Sequence, residues 1–185
     1  MAVRFGSRVW LARIMITWGL LSAATMFVTA PWQFYTVRFL LGVAEAGFYP
    51  GVIWYFSHWF PPCHRGRAVS RFYIASPLSS VLLGAISGWL LALDGNANLR
   101  GWQWLFLVQG LPTVLVGLAV WRWLPERPAD VSWLSDDEKA WIEGELAREQ
   151  ARMGPPRHDG VLAALRNPRV VQLGILGFLL IGAIT

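Results

Sequence analysis

The sequence predicts an all-α membrane protein: four full transmembrane helices, the start of a fifth, and a cytoplasmic amphipathic linker helix. Two observations carry this reading, the length of the uncharged blocks and the one-sided placement of the basic residues. Of 185 residues, 55% are hydrophobic and only 15% charged, and the apolar residues stand in blocks instead of short periodic stripes. A hydrocarbon layer about 30 Å thick takes roughly 20 predominantly apolar residues per helix. In lipid a spanning segment satisfies its own backbone hydrogen bonds, so blocks of this length are helices.

The first block, Ile14 to Val37, carries no charge and contains the first span and the short outer connection. The second, Phe39 to Ser57, carries only Glu45. Phe72 to Leu93 and Gly101 to Trp121 carry none, and Val170 to Ile184 is a fifth apolar block. The expected helices are therefore about 10–30, 34–60, 70–93 and 102–124, within a transmembrane unit of residues 1–124. Residues 125–168 form a linker, and 169–185 begin the next transmembrane helix. The linker holds nine of the 11 acids; Ser135-Asp-Asp-Glu138 has the pattern of a capping box opening a helix over about 135–153.

The formal net charge of +5 does not point to nucleic acid, because its distribution follows the spans. With a cytoplasmic N-terminus, all of the 16 Lys and Arg except Arg38 and Arg100 fall on the inner side. This is the positive-inside pattern, and it orients a multi-pass chain. Tryptophans at 10, 32, 59, 89, 102, 104, 121 and 123 stand near span ends, where amphipathic rings prefer to sit. The single cysteine, Cys63, cannot form an internal disulfide.

A charge within a span is costly, about 2.5–3.5 kcal/mol on insertion scales, and marks a functional candidate. Arg38 and Glu45 meet that description. Seven residues apart, they share a helix face about 10 Å apart along the axis, too far for a direct bond. Gly42 lies between them and Tyr49 follows one turn later. That stripe reads as a substrate and proton pathway, in which Arg38 attracts an anion and Glu45 exchanges a proton; the competing reading is a network that positions helices. Gly84 and Gly88 form a GxxxG pattern expected to pack helices closely. Pro112 with Gly110 and Gly117 suggests similar packing in the fourth span. His58, Cys63 and His64 invite a metal reading, but a zinc site needs three or four ligands and nothing else in the sequence supplements these; beside Arg65 and Arg67 at a helix end they read as interfacial residues. No catalytic cluster and no cofactor motif is visible, so an enzyme is not expected.

Arg38-x-x-x-Gly42-x-x-x-Ala46 resembles the fourth-helix motif of the major facilitator superfamily, and Arg4-Phe-Gly6-Ser-Arg8 the tail of its signature loop. Three longer stretches, ARIMITWGLLSAATMFV, RFLLGVAEAGFYPGVIWYFSHWFP and GWQWLFLVQGLPTVLVGLAVWRWLPERPADVSWLSDDEKAWI, resemble its anion:cation symporter branch. That branch includes bacterial permeases for sugar acids, tartrate and phthalate. The resemblance implies a partial major facilitator bundle comprising helices three to six, the central linker and the start of helix seven. It further implies a bacterial inner-membrane location and proton symport of a carboxylate, with Glu45 in proton coupling and Arg38 in charge compensation or the substrate route. Expected partners are then the lipid bilayer, a small carboxylate and a proton, with no nucleic acid. On this reading Met1 falls inside the signature loop, and a chain with four of six helices of one half is expected not to transport alone. The alternative is a small non-transporting assembly or regulatory membrane protein, using Gly84, Gly88 and the helix from Ser135 to Met153 as contact surfaces.

Overall fold

The computed structural model describes residues 6–154 and 168–184. All its regular structure among these residues is helical, and four segments are long and apolar enough to cross a membrane: Ser7–Phe27, Pro31–Trp59, Pro62–Leu91 and Gly101–Trp123. The first comprises α1 (Ser7–Ala24) closed by a 3₁₀ turn over Thr25–Phe27. The second is α2 (Pro31–Glu45) followed by α3 (Phe48–Trp59). The third is α4 (Pro62–Leu91) and the fourth α5 (Gly101–Trp123). The linker carries α6 (Asp136–Met153), and α7 (Pro168–Ile184) follows. The chain separates into two units, Met1–Glu149 and Gln150–Thr185; the account below concerns the first.

Two boundaries differ from the sequence reading. The third span starts at Pro62, not near residue 70, because Pro61-Pro62 opens a helix with Pro at its first position and the basic stretch from Cys63 to Arg71 continues it. Charged residues there do not end the helix. The second span is broken at Ala46–Gly47. Pro50 has no N–H for the carbonyl of Ala46 and its ring crowds that turn, yet it is tolerated in the first turn of a new helix. Trp10 of α1 donates its indole N–H to the Gly47 carbonyl at 3.3 Å, adding a partner at the break.

The bundle is organised on the α1–α5 pair. Small residues let these two backbones approach. A Cβ at Gly110 would lie 2.6 Å from the Gly19 carbonyl oxygen and 2.7 Å from the Ala23 nitrogen. A Cβ at Gly117 would meet Ile16 and Met15. Gln103 reinforces the pair by donating to the Met26 carbonyl at 2.6 Å. Leu11, Ala12 and Ile14 of α1 and Val52 of α3 are buried, whereas α2 buries no residue and α4 only Leu90. Leu78, Val81, Leu82 and Trp89 of α4 are exposed, a surface suited to lipid or to other helices.

Close packing at Gly84 and Gly88 does not occur among the described residues: nothing lies within 4 Å of a Cβ at either position. The GxxxG pattern reports only that a helix could approach. Which small-residue face is used within this chain depends on which neighbour it meets, and here α1 meets α5.

Candidate functional site

The turn before α2 fixes where that helix and its charges begin. Pro31 supplies the preset backbone angle at the first helical position. Gln33 accepts from the Thr29 and Ala30 amides at 2.8 and 3.2 Å through its Oε1, satisfying donors that the helix start would leave bare. One turn further, the Arg38 guanidinium carbon lies 5.1 Å from the Phe34 ring centre and 5.8 Å from that of Phe106 on α5. Two ring faces thus cradle the cation in place of a counter-ion. The sequence reading missed Phe106; its spacing from Arg38 carries no signal, since only the tertiary fold brings the two residues together.

Glu45 is the last residue of α2. It lines an open cavity of about 300 Å³ with Gly42, Ala46, Phe48 and Tyr49. Arg38 is not part of this cavity, and among the described residues the two charges form no ion pair. Arg38, Gly42, Glu45 and Tyr49 are all exposed in this chain. Nothing lies within 4 Å of a Cβ at Gly42, so a side chain there would project into the space between the two charges. The break after Glu45 means that Tyr49 belongs to α3 and does not continue a straight stripe. Its ring centre lies 5.6 Å from that of Tyr73 on α4, a neighbour the sequence reading did not find.

The basic end of the bundle is tied by a few polar contacts. Gly6 has φ of +79°, and a Cβ there would fall 2.0 Å from Glu126 Oε1. The Arg8 amide donates to the same oxygen at 3.4 Å, so Glu126 caps the start of α1 from across the bundle. Arg4 lies outside the described residues. Arg65 of α4 donates to both carboxylate oxygens of Glu149 on α6, at 2.8 and 2.7 Å, and to the Phe60 carbonyl at 3.2 Å. Both side chains are largely covered, at 24% and 16% exposure. The Arg65 guanidinium holds the Glu149 carboxyl below its ordinary value. Trp133 stacks on Trp59 at 6.1 Å, and Tyr55 donates to the Pro125 carbonyl at 3.0 Å. At the start of α6, Ser135 and Glu138 exchange hydrogen bonds, and those from the Ser135 amide and hydroxyl hold Glu138 below its ordinary value.

Four helical segments long and apolar enough to cross a membrane, one of them carrying an exposed arginine and an exposed carboxylate that form no ion pair among the described residues, define a multi-pass helical membrane protein. The chain belongs to the Major Facilitator Superfamily, whose family model matches residues 1–185. It is 44% identical over 172 residues to a protein named "Quinolone resistance transporter" from Acinetobacter baumannii, covering 93% of this chain and 40% of that one. It is 45% identical over 175 residues to a "Putative tartrate transporter" of Agrobacterium vitis, covering 95% of this chain and 40% of the relative. Over 179 residues it is 48% identical to the "Putative metabolite transport protein NicT" of Pseudomonas putida, with 95% and 40% covered. The chain thus spans about 40% of the length of these relatives. No solved structure matches it.

Proposed function

We propose that this chain supplies one wall of a path by which an organic anion, a carboxylate, crosses a bacterial inner membrane together with a proton. The observation that carries the reading is the placement of Arg38 and Glu45: both on α2, both exposed, with Glu45 in a cavity and neither in an ion pair among the described residues. A charge kept at membrane depth without a local partner is costly and faces water, substrate or further protein. In this reading Arg38, cradled by Phe34 and Phe106, draws the anion, and Glu45 takes a proton on one side and releases it on the other. Proteins of this kind place substrate near the midplane and alternate access by rocking helix bundles. The name of the Agrobacterium vitis relative supports a carboxylate cargo. The quinolone-resistance name points to a different cargo, so a quinolone belongs in the test panel.

The basic end is the cytoplasmic end in this proposal, supported by the clustering of Arg65, Arg67, Arg71, Arg122 and Arg127 there against Arg100 alone at the other. The four spans leave the Glu45 side open, so further helices complete the path, and the 185 residues alone do not transport. The bare face of α4 around Gly84 and Gly88 is where we place one such helix.

The test is proton-gradient-driven uptake of radiolabelled carboxylates and a quinolone into membrane vesicles. It compares this chain with a chimera in which residues 1–185 replace the matching part of the Agrobacterium vitis relative. Uptake by the chimera, abolished by Glu45→Gln and by collapse of the gradient, supports the proposal. Unchanged gradient-driven uptake by the Glu45→Gln chimera sinks the proton-carrying role, and uptake by the 185-residue chain sinks the claim that more helices are needed.

A further inference from the structure

A second cavity lies away from Glu45, between the basic ends of α3 and α4 and the linker. It encloses about 730 Å³. Its walls are of two kinds. Phe56, Phe60 and Phe72 from the spans, with Trp133 and Trp141 from the linker, make an aromatic lining. His64, Arg67 and Arg71, three and four residues apart on α4, present a basic edge along one helix face.

Helix length sets the depth of this cavity. The 30 residues of α4 rise roughly 45 Å, more than a hydrocarbon layer of about 30 Å requires. The segment Phe72–Leu91 alone suffices to span, which leaves Pro62–Arg71 in the headgroup layer. In the proposed orientation Phe56 and Phe72 therefore meet the acyl region, while the two arginines stand at the level of lipid phosphates and Trp133 and Trp141 close the cavity from the membrane face. The nearby acid does not neutralise them: Glu149 is engaged on both oxygens by Arg65. Among the described residues neither Arg67 nor Arg71 has an ion-pair partner, and both are exposed.

We propose that this cavity is a binding site for one anionic glycerophospholipid of the inner leaflet, its phosphate held by Arg67 and Arg71 and its acyl chain lying on Phe56 and Phe72. The inner leaflet of a membrane is the anionic one, and basic pockets between helices on that side suit such headgroups. A free phosphate would use the arginines but leave the aromatic volume empty, and a neutral lipid would use the volume but leave the arginines unpaired. Because the linker supplies Trp133 and Trp141, the bound lipid also fastens the linker to the membrane face. The inference rests on the proposed orientation, which places these residues in the inner leaflet; it does not depend on the cargo or on proton coupling.

The experiment uses the purified 185-residue chain in nonionic detergent. Phosphatidylglycerol and phosphatidylcholine are titrated separately, and thermal stability and lipid adducts in native mass spectrometry are recorded. Phosphatidylglycerol is expected to bind and stabilise, phosphatidylcholine not. Arg67→Gln with Arg71→Gln is expected to weaken phosphatidylglycerol binding by roughly 10- to 30-fold, near the sum of two arginine contributions at an anionic surface. Arg122→Gln, at the end of α5 and outside the cavity, leaves binding unchanged. Equal retention of both lipids, or an unaffected double variant, overturns the proposal. Protection by millimolar inorganic phosphate equal to that by phosphatidylglycerol overturns the lipid assignment in favour of a free-anion site. Should the glutamine pair not fold, Arg67→Lys with Arg71→Lys keeps both charges and retains phosphatidylglycerol preference; loss of that preference in a folded lysine pair counts against the charge argument. Failure of the orientation is separable, because labelling of Cys63 reports it independently.

Discussion

Replacing Gly110 by alanine tests whether the α1–α5 contact is the organising one. The added methyl would sit 2.6 Å from the Gly19 carbonyl oxygen, 2.7 Å from the Ala23 nitrogen and 2.8 Å from the Ala23 Cβ. Two of these are backbone atoms and cannot rotate away. Ordinary van der Waals contact begins near 3.4 Å, so the helices must separate locally by about 0.8 Å, at an overpacking cost of roughly 1–3 kcal/mol. Alanine's better helix propensity offsets this by at most about 1 kcal/mol. The same substitution at Gly84 or Gly88 meets open space, so there only the propensity term acts and stability is unchanged or slightly raised. The assay is reversible unfolding of the purified chain by sodium dodecyl sulfate titration in mixed micelles, followed by tryptophan fluorescence, with all three variants side by side. Gly110→Ala is expected to unfold at clearly lower denaturant than either control. If Gly110→Ala matches the wild type, or if Gly84→Ala is the damaging change, the assignment of the close helix pair to α1 and α5 is wrong.

Glu149→Gln removes the charge from the bidentate contact with Arg65 and is expected to loosen the linker helix by about 1 kcal/mol, read as faster proteolysis after α6 begins. Because the folded carboxyl lies below its ordinary value, this contribution is present above the ordinary carboxylate range and is lost as pH falls through the depressed folded value. Proteolysis of the wild type should therefore rise at acid pH, and the difference from Glu149→Gln should vanish there. Trp10→Phe keeps an aromatic ring but loses the donor to the Gly47 carbonyl and part of the indole packed against Gly47 and Gly51, so it costs at least about 1 kcal/mol in the same unfolding titration. Cys63 is exposed, and with a cytoplasmic basic end a membrane-impermeant maleimide should label it in inside-out vesicles but not in intact cells; the opposite pattern inverts the topology.

The relation between sequence and structure differs with the scale of the signal. The number of spans was legible because lipid imposes it: uncharged blocks of about twenty residues leave the backbone no alternative to a helix. The candidate charges were legible for the same reason, since Arg38 and Glu45 stand out against an apolar background. The start of α4 was not, because a basic stretch looks like a loop until the helix is recognised as longer than the hydrocarbon is thick. The break after Glu45 lay in Pro50, but the proline's effect depends on whether the surrounding turns can restart a helix, and Trp10 of another span supports that restart.

What the sequence alone determined is therefore what each segment must do against its solvent: span, turn, or carry charge at the membrane face. What tertiary structure decided is which segments meet. Both Gly84–Gly88 and Gly110–Gly117 read as packing patterns, yet only Gly110 and Gly117, with Gly19, make a close contact among the described residues, because packing depends on the neighbour and not on the pattern alone. Phe106 beside Arg38, Tyr73 beside Tyr49, Glu126 at the start of α1 and Glu149 on Arg65 come from distant positions. Contacts of that separation leave no periodic trace along the chain, since they are created only when the helices come together.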